Sequence, residues 1–199
     1  MEQDIDEWHK EKVALRQVSD ARQKASATRE NGLIIVHTDA GRGKTTAAFG
    51  LAFRAPGQGM KVGMVQFIKG AMPTGEVALV KQLSLPIELY TLGEGFTWHT
   101  ENRPQDIAPA HRAWEQAVQL LRHPAFDMVI LDELNIVLRY DYLPLEEVWE
   151  ALRTKREMLH VVITGRNEEL IELADLVTDM KPIKHPYKAG IKAQRGVEF

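Results

Sequence analysis

Leu33-Ile34-Ile35-Val36-His37, followed by Thr38-Asp39-Ala40-Gly41-Arg42-Gly43-Lys44-Thr45-Thr46, sets an unbroken apolar run against a glycine-bearing turn. A short run of this kind marks a strand buried on both faces. Beyond the turn, 44–54 reads as a helix. Strand, turn and helix in this order aim backbone amides and a helix start at bound phosphate, while Lys44 adds a point charge and Thr45 offers a hydroxyl to Mg²⁺. The match to the usual phosphate-loop pattern is imperfect, because Thr38 stands where that pattern begins with glycine.

The alternation continues outward from this unit. Strands are expected at 62–67, 87–90, 128–131, 160–163 and 176–180, and helices at 76–83, 104–122, 145–152 and 168–173, with Pro104 well placed in a first helical turn. Strands alternating with helices predict a three-layer α/β fold built on a mainly parallel, doubly wound sheet. Ligands of such sheets bind beyond the carboxyl ends of the strands, which directs attention to the loops 38–43, 68–75, 91–103, 132–142 and 164–167. Residues 1–30 read as a helical extension, with Ile5, Trp8, Leu15 and Val18 loosely on one stripe, and 31–199 as the main domain. A frayed terminal arm without a role is the competing reading of the extension.

The 199 residues suit one domain with a full core, and 44% hydrophobic with 27% charged residues is ordinary globular composition. A formal charge of -3 leaves no global basic field for nucleic acid or acidic lipid, so a polyanion must be gripped locally. With no cysteine, disulfides, thiolate metal sites and cysteine nucleophiles are excluded together, which is compatible with a reducing cytoplasm. The acidic start MEQDIDEWHKEK is unlike a secretory signal, and no membrane-spanning run is present.

A second chemical signal is Met128-Val129-Ile130-Leu131-Asp132-Glu133, which places carboxylates at the tip of a buried strand. Asp132 there can hold Mg²⁺ directly or through water. Glu133 is open to three readings: a base that polarises attacking water, a metal ligand, or a cap of the next turn. Phe96 and Trp98, two apart in a glycine-flanked loop at the ligand edge, are either core packing or a ligand surface. His99 beside them reads as a surface polar residue rather than a metal ligand.

Taken together, GKTTAAFG (43–50), VGMVQFIKG (62–70), GFTW (95–98), DMVILDELN (127–135), YDYLPLEEV (140–148), ITGR (163–166), KHPY (184–187) and GIKAQRGVEF (190–199) resemble the ATP:corrinoid adenosyltransferases, the type with a P-loop and a RecA-like sheet. The resemblance runs in order from 33 to 199. It implies an ATP:cob(I)alamin or cob(I)yrinic acid a,c-diamide adenosyltransferase, in which a Co(I) corrinoid attacks the 5' carbon of ATP and tripolyphosphate leaves. Because Co(I) is a strong nucleophile with no proton to lose, no side-chain base is required. The protein must orient ATP, neutralise the leaving group and exclude water.

Carried onto this chain, the resemblance implies that Gly41, Arg42, Gly43, Lys44, Thr45 and Thr46 cradle the phosphates of a nucleotide lying reversed in the loop. Thr45 and Glu133 would be Mg²⁺ ligands with Asp132 in support, and Mn²⁺ is an alternative ion. Arg54 and Arg166 would be further nucleotide contacts. Phe96 and Trp98 would lie against the corrin and help displace the lower axial ligand of Co(II). A cytoplasmic homodimer is implied, with an electron-donating reductase as partner and the N-terminal helix folded over the corrinoid. The family usually has Gly-Asn-Gly-Lys-Gly-Lys-Thr-Thr after the loop's first Thr. This chain departs from that pattern at Asp39, Ala40 and Arg42. Two rival functions remain: a hydrolytic NTPase with Glu133 as base, and a non-catalytic nucleotide- or corrinoid-binding module.

Overall fold

A computed structural model describes residues 2–68, 74–92 and 103–197. The chain divides into two compact units, Met1–Asn31 and Gly32–Phe199. In the first, helix α1 (Glu2–Ser26) leaves Ile5, Trp8, Leu15 and Val18 exposed. Its local support includes Lys12, whose ammonium stands 4.0 Å from the ring centre of Trp8 one turn earlier. The helix stops at Ser26, short of the expected residue 30.

The second unit alternates as expected: β1 (Ile34–Thr38), α2 (Lys44–Arg54), β2 (Val62–Gln66), α3 (Gly75–Leu83), β3 (Ile87–Thr91), α4 (Arg103–Arg122), β4 (Met128–Asp132), α5 (Leu134–Arg139), α6 (Leu145–Arg153), β5 (His160–Thr164), α7 (Glu168–Leu173) and β6 (Leu176–Asp179). The sheet runs β3-β2-β4-β5-β1-β6, and every pair is parallel. Parallel neighbours need helical crossovers, and these cover both faces. On one side Ile34, Val36, Leu131 and Ile163 pack with Trp114 and Leu120 of α4, Val137 of α5, Val148 of α6 and Leu170 of α7. On the other, Ile35, Met64, Ile130 and Val162 pack with Ala48, Phe49 and Ala52 of α2 and Val80 of α3. The three-layer expectation holds, and the four inner strands β1, β2, β4 and β5 are buried along nearly their whole length, whereas the edge strand β3 is mostly half-buried and the edge strand β6 is exposed.

One element departs from the sequence expectation. Residues 132–142 read as a loop, yet α5 occupies six of them. Leu134, Val137 and Leu138 sit at helical spacing and are buried, so packing supports a helix too short to announce itself in sequence. Among the described residues no helix is long and apolar enough to cross a membrane.

Register fixes the chemistry at the carboxyl edge. Gln66 pairs with Thr91 on β3 and Asp132 on β4, and His37 pairs with Thr164 on β5 and Thr178 on β6. Leu131 pairs with Ile163, which makes Asp132 and Thr164 the next positions along their strands. In parallel register, paired residues point to the same face. One transverse row of polar side chains therefore crosses all six strands at the end where a ligand would bind.

Candidate functional site

The turn between β1 and α2 is shaped by its floor. A Cβ on Gly41 would lie 1.9 Å from the carbonyl oxygen of Met180, just past β6, so only glycine fits there. Met180 in turn donates its amide to the Thr38 carbonyl at 3.2 Å. Gly43 adopts φ 102 and gives α2 no side-chain cap. The first amides of α2 thus face the pocket without a protein side chain on the cap, the arrangement that favours an anion.

Lys44 is folded back over this turn. Its Nζ donates to the carbonyl oxygens of Asp39 at 2.6 Å and Gly41 at 2.7 Å. Burial lowers its pKa, while the charges of Glu133, Asp39 and Asp132 oppose that shift. Asp39 takes the left-handed conformation, φ 74, and its Oδ1 accepts from the Ala40 amide at 2.6 Å. The departure from the family's glycine therefore lands on a backbone conformation that glycine tolerates best.

Facing the loop, Asp132 is almost fully buried and saturated with donors. Its Oδ1 accepts from Thr45 Oγ1 at 2.9 Å and Thr164 Oγ1 at 2.7 Å, and its Oδ2 from Gln66 Nε2 at 3.1 Å. Gln66 Oε1 accepts in turn from Thr91 Oγ1 at 3.1 Å. Burial raises the pKa of Asp132, and the bonds from Thr164, Gln66 and Thr45 pull it back. Glu133 has φ 61 and donates its amide to Thr164 Oγ1 at 2.8 Å. Burial, and then the charge of Asp132, push its carboxyl up to about 7, with Lys44 opposing.

These groups enclose a pocket of about 470 Å³. Residues 40–46 form one side, Gln66, Ile68, Thr74 and Glu76 another, and Asp132, Glu133 and Val197 complete it. The structure thus brings together Gly41, Arg42, Gly43, Lys44, Thr45, Thr46, Asp132 and Glu133. Arg54 is not among the lining residues: it is the last residue of α2, and at about 1.5 Å rise per residue it stands roughly 15 Å from Lys44. Arg166 is exposed beyond β5, where its guanidinium pairs with Glu168 at 3.0 Å. Phe96, Trp98 and His99 lie outside the described residues. Gln66 and Glu76 carry no role in the sequence reading, and Thr91 and Thr164 enter it only as the first residues of two ligand-edge loops; their signal is a polar residue closing a strand or opening a helix.

Residues 30–199 match the family described as ATP:corrinoid adenosyltransferase BtuR/CobO/CobP. A corrinoid adenosyltransferase of Sinorhizobium sp is 52% identical over 198 residues, covering 98% of this chain and 92% of the relative. One from Pseudomonas aeruginosa is 47% identical over 196 residues, covering 98% and 97%. One from Escherichia coli strain K12 is 48% identical over 177 residues, covering 88% and 89%.

Proposed function

This chain belongs to the ATP:corrinoid adenosyltransferase family, and we propose from that premise that it transfers the 5'-deoxyadenosyl group of ATP to the Co(I) centre of a corrinoid, releasing tripolyphosphate. The observation that carries the reading is a pocket in which an uncapped helix start and Lys44 oppose the Thr45, Asp132 and Glu133 oxygens.

In this reaction the cobalt electron pair forms the bond to C5', and the C5'–O bond breaks with its pair going to the leaving polyphosphate. No proton changes hands at the reacting carbon. The chain's part is to hold and neutralise. Amides of residues 43–46, with Lys44 and Arg42, would bind the triphosphate, and Lys44 would exchange its two backbone carbonyls for phosphate oxygens. Phe96 and Trp98 would lie against the corrin and assist the reduction of Co(II). A homodimer in the cytoplasm, served by an electron donor, completes the proposal.

The donor set suits a hard divalent cation such as Mg²⁺, with Mn²⁺ as substitute. Thr45 Oγ1 and the Glu133 carboxylate offer oxygen ligands, and Asp132, already accepting three hydrogen bonds, orients Thr45 from behind. These are too few for a full shell, so phosphate oxygens and water would complete it. When bound, such an ion would neutralise the leaving group and draw Glu133 into its ionised form.

A hydrolytic NTPase is the second reading, because a carboxyl near 7 suits a general base. One assay separates the two. With ATP, Mg²⁺ and chemically reduced cobalamin, the absorbance change of adenosylation should accompany intact tripolyphosphate, and Lys44→Ala should suppress both. Inorganic phosphate formed without any corrinoid would replace this proposal with hydrolysis.

A further inference from the structure

Two of the stretches that carry the family resemblance, KHPY and GIKAQRGVEF, have no task in the chemistry described so far. Both lie in the C-terminal segment that follows β6, and that segment meets the phosphate loop at three places. At its start, the Met180 carbonyl forms the floor under Gly41. Farther along, His185 Nε2 accepts from Arg42 Nε at 2.9 Å, across 143 positions of sequence. The Arg42 guanidinium also stands 5.8 Å from the centre of the Tyr187 ring. Near its end, Val197 lines the same pocket as residues 40–46.

The local structure explains how two side chains act as one support. The short 3-10 turn Pro186–Ala189 sets the His185 and Tyr187 rings side by side, centroids 5.4 Å apart and planes 8° from parallel. The Tyr187 amide also points at His185 Nδ1, at 3.2 Å. A neutral imidazole has one acceptor nitrogen, so the two donors compete, and the shorter contact is the one from Arg42.

We propose that the C-terminal segment is a wall of the polyphosphate site, with His185 and Tyr187 as positioning residues that set Arg42 for the triphosphate; the inference rests on the nucleotide reading above. The choice of partner supports it. A carboxylate at position 185 would hold Arg42 as firmly but would cancel the charge that the polyphosphate must meet. Neither the imidazole acceptor nor the aromatic face itself brings a negative charge to the guanidinium. The contact to His185 comes from the Arg42 Nε–H, the inner nitrogen of the guanidinium. Holding an Arg side chain before the ligand arrives removes part of the ordering cost of binding.

The test is a double-mutant cycle on the full chain, read by calorimetric titration with MgATP and with inorganic tripolyphosphate. His185→Ala should weaken both ligands by about three- to tenfold, and His185→Gln, which keeps an acceptor oxygen, should weaken them less. In an Arg42→Ala background, His185→Ala should have no further effect. A purely structural tail would weaken binding equally in both backgrounds, and that result overturns the inference. An unchanged affinity of His185→Ala for both ligands overturns it too, as does an effect on ATP without one on tripolyphosphate. Lys44→Ala tests the reading underneath: if it binds ATP like the parent chain, the nucleotide site itself is wrong, whatever His185 does.

Discussion

Lys44 is bound to the backbone of Asp39, not to its carboxylate: Nζ reaches the Asp39 carbonyl oxygen at 2.6 Å, while the side chain of Asp39 turns to the Ala40 amide. Replacing Asp39 by glycine therefore keeps the lysine contact. It also relieves a positive φ, frees the Ala40 N–H and removes a carboxylate beside the proposed polyphosphate site. Asp39→Gly should bind MgATP roughly threefold more tightly at low ionic strength, with the gain shrinking as salt screens it. Titrations at two salt concentrations check this. Equal affinity at both would mean that the carboxylate exerts no force on the triphosphate.

Gln66 links Thr91 to Asp132 and so fixes the face that Asp132 shows to Thr45. Gln66→Leu leaves the Asp132 Oδ2 without its donor in a buried place. Behind the Mg²⁺ ligands proposed above, partners of this kind typically govern affinity by about 10- to 100-fold. The Mg²⁺ concentration giving half-maximal adenosylation should accordingly rise by roughly tenfold. Gln66→Glu should be worse, because it sets a second carboxylate against Asp132. An unaltered Mg²⁺ titration in both variants would remove Gln66 from the site.

Gly165, between β5 and Arg166, has φ +118, and a Cβ there would lie 1.8 Å from Asn135 Oδ1. Steric overlap and backbone strain act together, so Gly165→Ala should cost about 3 kcal/mol. At about 2–4 °C per kcal/mol for a chain of this size, the melting temperature should fall by roughly 6–12 °C. Adding Asn135→Ala should recover only part of the loss, because the Asn135 Cβ would still stand 2.6 Å away. Thermal melts of the three proteins decide it.

What sequence could reveal divides along the range of the interactions. The β1 run, the turn and α2 were legible because strand burial, glycine and lysine sit within fourteen consecutive residues, 33–46. Asp132 was legible as a charge ending an apolar run. Gln66 was not, and Thr91 and Thr164 were so only as the starts of two ligand-edge loops, because each is an unremarkable polar residue until the order β3-β2-β4-β5 sets them in one row. His185 reaches Arg42 across 143 positions, a pairing that local spacing does not encode. Arg54 shows the opposite failure: it shares a helix with Lys44, but the rise of that helix carries it away from the pocket.

His37, between Thr164 and Thr178 in the polar row, differs from its neighbours. It is 7% exposed, and neither ring nitrogen finds a hydrogen-bond partner among the described residues. Burial depresses its pKa below the ordinary 6.5. As pH falls through 6.5 the unfolded chain takes up the proton first, so between that point and the lower folded-state value the unfolded state binds more protons and stability declines. Above 6.5 the proton term vanishes. His160, also depressed mainly by burial, adds a slope of the same sign. His37→Leu keeps a similar volume in the strand, removes the unpaired nitrogens and removes one titration. Leaving a buried polar group unpaired costs about 1–3 kcal/mol, and part of that should be recovered. At pH 7.5 the variant should melt about 2–4 °C higher, and its stability should decline less steeply between pH 7 and 5. Chemical denaturation across that range separates the two effects. Parallel pH profiles would show that His37 titrates alike in both states, and a lower melting point at pH 7.5 would show that the ring is held by a bond stronger than the burial it suffers.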